Sequence, residues 1–266
     1  MNVRVSVRSG LGGMRRRVLC ALYRRSLPLK NRGPMVSFSF DDFPRTAYLV
    51  GGSILEQVGA RGTFYAAYGL MNTKNELGDQ FRADDLDSLL EKGHELASHT
   101  YSHVSSRYTR CEAFCKDVEK GRQAIEEVTG ADCSNFAYPF GHVTLRAKRA
   151  LGMSLTSARS VIPGFNGPEI DLGLLRANSL YGDLDGARRV EELIAENSKR
   201  RSWLIFYTHD VRPNPSPFGC TPALLEAAVS CAARSDCQIL TVQEALGVAG
   251  VQNGKPEGHV RRCVPA

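Results

Sequence analysis

Apolar and polar residues alternate most clearly in Val36–Phe40, where Ser37 and Ser39 separate Val36, Phe38 and Phe40. Aromatic and β-branched residues at that period predict a half-buried strand. From there the pattern switches repeatedly between a period of two and the helical period. Arg45–Gly59 predicts a helix with Tyr48, Leu49, Gly52, Leu55 and Val58 toward one side, and Thr63–Ala67 the next strand. A helix over Ala83–Lys92, with acids in its first turn, precedes a short strand, His94–Ala97. Further helices are expected at Glu112–Gly130, Thr144–Leu151, Val190–Lys199 and Pro222–Arg234. The strands between and after them are Ser134–Tyr138, Met153–Thr156, Leu174–Leu180, the strongly apolar Trp203–Tyr207, and Gln238–Val242.

Strand and helix alternate throughout, so parallel pairing through crossover helices is the economical topology. Roughly seven such repeats with no linker among them favour a barrel over an open sheet. The expected fold class is therefore α/β, with a single domain over residues 35–249, an arm over 1–34 and a tail over 250–266.

Composition bounds the partners. The net charge of +6 suggests an acidic partner until its distribution is read: residues 1–34 hold nine Arg or Lys and no acid, leaving 25 basic against 28 acidic residues in the rest. A slightly acidic body argues against a basic nucleic-acid groove. In the arm, the uncharged run Val18–Tyr23 is too short for a secretory core or a bilayer span. Flanked by arginines, it suits peripheral contact with an anionic membrane, although a start without structure fits equally well. Eight cysteines without a secretory signal predict reduced thiols and a cytoplasmic, membrane-associable protein.

The chemistry collects at strand ends. Asp41 and Asp42 follow the first strand directly, and two adjacent carboxylates need a nearby cation or a shared proton. His99 and His103, four apart in SHTYSH, would share one face of a helical turn and can hold one metal ion. Two imidazoles and a carboxylate give a three-ligand site with an open position. In FAYPFGH, Pro139 stiffens a turn and Gly141 permits close backbone approach, so the Phe140 amide can face a reacting oxygen. His209 ends the apolar strand in WLIFYTHD, where an imidazole can exchange protons.

With these motifs in this order, residues 35–246 resemble the NodB-type polysaccharide deacetylases, carbohydrate esterase family 4. The resemblance implies a distorted, incomplete (β/α) barrel that hydrolyses acetamides on the sugars of an oligo- or polysaccharide. It implies Asp41 as base, Asp42, His99 and His103 as ligands of a divalent metal, and His209 as general acid. Zinc is the default ion, and cobalt, nickel, manganese or iron also suit two histidines and a carboxylate. Two departures stand out. Ala137 occupies the place of an arginine that orients the catalytic aspartate, and no DxxDW-like segment is present. Arg176 is the candidate for the missing charge, while Asp171 and Asp183 are candidates to orient His209. A deformylase, imidase or O-acetyl esterase on the same site, or a carbohydrate-binding pseudoenzyme, are the competing readings.

Overall fold

The computed structural model describes residues 11–29, 33–252, 255–256 and 261–262. Its centre is β1 (Met35–Asp41), every residue of which is buried. The serine alternation predicted a strand with one wet face, but β1 has neighbours on both edges and packing on both faces. It pairs in parallel with β7 (Trp203–Thr208) along one edge. The other edge is shared by β2 (Thr63–Ala66) and β8 (Gln238–Ile239). The serines are tolerated because each is bonded: Trp203 Nε1 donates to Ser37 Oγ at 2.9 Å, and Ser39 Oγ donates to the Phe206 carbonyl at 2.8 Å.

Outward from β2 come β3 (Glu95–Ser98), β4 (Asn135–Ala137) and β5 (Ser157–Arg159), and beyond β7 lies β6 (Asn178–Ser179), all parallel. The sheet curls into a half-barrel, as parallel strands feeding crossover helices do. Its seam is irregular: Leu172–Leu175 bonds to β5 and the chain then continues into β6 beside β7. The long strand expected over Leu174–Leu180 is for this reason regular only at Asn178–Ser179.

The helices are α1 (Leu11–Ala21), α2 (Ala83–Glu91), α3 (Cys111–Thr129), α4 (Leu145–Leu151), α5 (Ala187–Arg200), α6 (Pro222–Arg234) and α7 (Val242–Val248). After β1 the chain is π-wound over Ala47–Gly52 before a short α-turn, Ser53–Glu56. The wide turn lets Gly51 lie against Phe40, where an added Cβ would sit 2.7 Å from a ring carbon. Val36, Phe38 and Phe40 pack outward against α5, α6 and this segment. Met35, Tyr65, Ala137, Trp203, Ile205 and Tyr207 face the barrel interior, where α7 and Leu27 close one end.

Below the site lies a buried polar layer. Glu95 accepts from Thr63 Oγ1, Asn135 Nδ2 and the Gln243 amide at 2.7–2.9 Å, and Ser157 Oγ donates to Asn135. Burial nevertheless pushes the Glu95 carboxyl above its ordinary range.

The described part of the arm is ordered against the body. Lys148 Nζ, buried on α4, donates to the Leu19 and Leu22 carbonyls, and Arg25–Pro28 pairs with Glu169–Asp171. Residues 1–10 and 30–32 lie outside the described residues, as does most of the stretch beyond Gln252. Within that stretch Val251–Gln252 pairs with Lys255–Pro256, and Arg261–Arg262 with Arg25–Ser26. Among the described residues seven cysteines are free, and no helix is long and apolar enough to cross a membrane.

Candidate active site

Side chains alternate along strands, so those at the C-terminal ends of β1, β2, β4, β5 and β7 that face the interior converge at one rim. Asp41 is the last residue of β1, and Asp42 and Phe43 follow with φ near +63° and +62°. Non-glycine residues in that region carry strain of about 1–3 kcal/mol each. Phe43 is the anchor that offsets it: its ring is fully buried between Phe64 and Phe81, with centroids 5.1 and 4.8 Å away.

The histidine pair does not sit on a helical turn as its spacing suggested. His99 and His103 belong to a loop after β3 with Thr100 and His103 in the left-handed region. Helix α3 holds this loop. Asp117 Oδ1 accepts from the Tyr101 and Ser102 amides at 2.9 and 2.8 Å, and Gly121 lies so close to Thr100 that a Cβ would meet its carbonyl carbon at 2.7 Å. His99 Nδ1 donates to the Ala137 carbonyl at 2.8 Å, which leaves Nε2 unprotonated and aimed at Asp42.

Three ligand atoms converge here, all within 4.8 Å of one another. Asp42 Oδ1 lies 2.9 Å from His103 Nε2 and 3.4 Å from His99 Nε2. That oxygen is buried, yet no well-aligned hydrogen bond reaches it. An orphaned carboxylate oxygen facing two imidazole nitrogens is what a divalent ion requires, so these residues fit a metal. The charges are already matched. Burial opposes the Asp42 charge, but His103, His99 and His209 outweigh it and hold the carboxyl far below the usual range. Burial lowers His99 to about 4. It works in the same direction on His103, where contact with Asp42 prevails and raises the pKa.

Asp41 meets a residue that the sequence reading missed. Arg159, the last residue of β5, places Nη2 2.5 Å from each Asp41 oxygen. Arg159 is 1% and Asp41 3% exposed. The guanidinium lies 5.0 Å from the ring centroids of both Tyr65 and Tyr207. Its strand position matters, because Arg159 pairs in register with Ala137. Neighbours in register share a face, so the charge comes to Asp41 from the strand next to the one where it was sought.

Arg176 does not supply that charge. Leu175 and Ala177 are fully buried in the barrel interior, so Arg176 between them faces the other way. It bonds to the Pro163 carbonyl and lines a separate polar cavity of about 240 Å³ with Arg24, Glu169 and Asp171. Reading Met153–Thr156 as the strand hid Arg159; strand β5 begins only at Ser157, just past the end of that stretch, and an arginine at a strand end was the available signal.

His209 Nε2 lies 4.0 Å from Asp42 Oδ2. Its Nδ1 donates to the Phe218 carbonyl at 3.1 Å, so a carbonyl, rather than Asp171 or Asp183, orients it. Asp171 is instead paired with Lys148, and Asp183 caps the turn at Leu184–Gly186. The loop that brings Phe218 is tied down by buried Asp210, which accepts from the Ser216 amide and hydroxyl and pairs with Arg212. Phe140 has φ of 58°, and its exposed ring lies 4.4 Å from that of His103. At Gly141 any side chain would collide with Val161, 2.1 Å from an ideal Cβ.

Residues 29–155 match the family model described as polysaccharide deacetylase. Over those residues the chain is similar to the NodB-type polysaccharide deacetylases. Solved structures share the fold. The Xyl-CE4 domain of a multidomain xylanase from the hindgut metagenome of Trinervitermes trinervoides is 16% identical, with a TM-score of 0.58 over 85% of this chain and 95% of that one. A family 4 acetyl xylan esterase from Clostridium thermocellum, in complex with a cobalt ion, is 18% identical, with a TM-score of 0.56 over 84% and 94%. A peptidoglycan deacetylase from Bacillus subtilis is 14% identical, with a TM-score of 0.52 over 82% and 93%. No curated protein sequence matches the chain. In this chain the half-barrel carries Asp41, Asp42, His99, His103, His209 and Phe140 to one rim, and leaves Arg176 outside it.

Proposed function

We propose that the chain is a metal-dependent hydrolase that removes acetyl groups from N-acetylated sugars of an oligo- or polysaccharide. The observation that carries this reading is the convergence of Asp42 Oδ1, His99 Nε2 and His103 Nε2 on one point at the rim. These residues would hold a divalent ion, zinc by default, which when bound would acidify a water molecule and polarise the acetyl carbonyl. A cobalt ion accompanies the acetyl xylan esterase of the same fold, and a carboxylate with two imidazoles accommodates either metal.

Asp41, held by Arg159, accepts the proton that the attacking water loses. The Phe140 amide, in the turn beside His103, is the donor for the developing oxyanion. His209 faces the site with Nε2 while Nδ1 stays bonded to Phe218, and is the group that would deliver a proton to the departing amine. Without that proton an amide nitrogen is a poor leaving group, whereas an ester alkoxide depends on it less. Loss of His209 therefore discriminates an N-acetyl from an O-acetyl substrate.

The pseudoenzyme reading rested on Ala137 and weakens once Arg159 is found beside Asp41, since carbohydrate binding needs no such pair. The test is acetate release from a panel of N-acetylated glycans, with metal removed and then restored. Release that disappears with chelation and returns with the ion is the expected result. A metal-loaded protein that binds glycan and frees no acyl group from any member of the panel overturns the proposal.

A further inference from the structure

A continuous face beside the catalytic rim joins exposed apolar side chains to arginines. It begins at Phe140, 59% exposed, whose ring meets that of His142 at 5.7 Å; His142 in turn touches Tyr108, 78% exposed, at 5.5 Å. The next residue, Val143, lines a groove of about 510 Å³ between α1 and α4, with Leu145 on the same side and Met14, Val18 and Leu19 opposite. Met14 is 67% and Val18 39% exposed, so the groove opens to solvent along its α1 edge. Arg16, Arg17, Arg107 and Arg146 are all exposed along this face.

The charge is one-sided. The three segments that build the face, residues 11–29, 99–110 and 136–160, contain no Asp or Glu. Elsewhere the body carries more acid than base, so this face is a local feature rather than a reflection of net charge. The arm is also fixed in place: Lys148 ties the Leu19 and Leu22 carbonyls to α4, so Met14 and Val18 are presented on a rigid support.

We propose that this face docks the protein on an anionic phospholipid bilayer, with arginines at the headgroups and Met14, Val18 and Tyr108 entering the interfacial layer. Aliphatic side chains projecting between arginines lose hydration in an acyl layer but gain nothing against a nucleic-acid backbone. Tyrosine at headgroup depth and arginine near a negative surface are each favourable there. The docking is independent of the reaction catalysed, and it sets the catalytic rim beside the membrane.

Flotation of the full chain with vesicles tests it. Phosphatidylglycerol–phosphatidylcholine vesicles should capture the protein, pure phosphatidylcholine should not, and added salt should release it. Each arginine near such a surface is worth about fivefold in partition, so Arg16→Gln with Arg17→Gln should lower binding about 25-fold. Val18→Glu with Tyr108→Glu should release the protein too, with circular dichroism and metal content unchanged. Equal capture by neutral and anionic vesicles, no capture by either, or wild-type partition of both variants overturns the proposal. So does arginine-dependent capture of a single-stranded oligonucleotide by a protein that leaves vesicles alone, which would reassign the face to nucleic acid.

Discussion

Arg159→Ala is the most informative single change, because it removes the guanidinium that bonds both oxygens of Asp41. The two side chains are 1% and 3% exposed, so the abandoned carboxylate cannot be rescued by bulk water. Breaking one partner of a buried pair costs about 3–5 kcal/mol. Against a total stability of about 5–15 kcal/mol, that is a large fraction, and the denaturant midpoint should fall accordingly. Asp41 would also lose the contact that fixes its orientation, and misplacement of a catalytic group by about 1 Å costs on the order of 10²-fold in turnover. Register supplies a rescue. Ala137 is the in-register neighbour of Arg159 on the adjacent strand, about 4.8 Å away on the same face. Ala137→Arg combined with Arg159→Ala should therefore recover at least about tenfold of the lost turnover and part of the stability, since a guanidinium again reaches Asp41. Turnover on an N-acetylated glycan and urea unfolding measure both. Wild-type turnover and midpoint in Arg159→Ala would refute the role of the pair, and a double variant no better than the single one would refute the strand-exchange argument.

Three further outcomes are expected. His103→Ala should weaken metal binding by about tenfold or more, since a direct ligand matters at least as much as its supporting groups; unchanged metal content in a variant lacking both His99 and His103 would sink the site. Asp41→Asn and His209→Ala should each lower turnover by about 10²-fold or more while metal content stays near wild type, and full turnover in both would show that the assigned proton transfers are wrong. Contact with Asp42 raises the His103 pKa above 6.5 against the effect of burial, and an imidazole must be neutral to bind metal. Metal affinity should therefore fall by about tenfold per pH unit as pH drops below that raised value. A flat profile by titration calorimetry across this window would contradict it.

The order of the elements and much of the chemistry were written in the local pattern. β1, α6 and β7 lie close to where their periodicity put them, and Pro222–Arg234 begins on the proline that favours a first helical turn. Asp41, Asp42, His99, His103 and His209 were legible because each follows an apolar strand, and strand ends in a parallel sheet share one rim. The family resemblance, which those motifs carried, agrees with the family model and the fold.

What the sequence left open depends on pairs of residues far apart in the chain. Arg159 is separated from Asp41 by 118 positions, and only the register of β4 against β5 brings its guanidinium to the place that Ala137 left vacant. The left-handed turn at Asp42 and Phe43 exists because Phe64 and Phe81 bury the Phe43 ring, a packing term that outweighs local preference. The histidine spacing suggested a helical turn, yet Asp117 and Gly121 of α3 fold that segment as a loop. Both serines of β1 looked solvent-facing and are buried, because partners on other strands satisfy their hydroxyls. Local sequence fixes which way a side chain can alternate along its own strand; which strand lies next to it, and what it meets across the barrel, is decided by closure of the sheet.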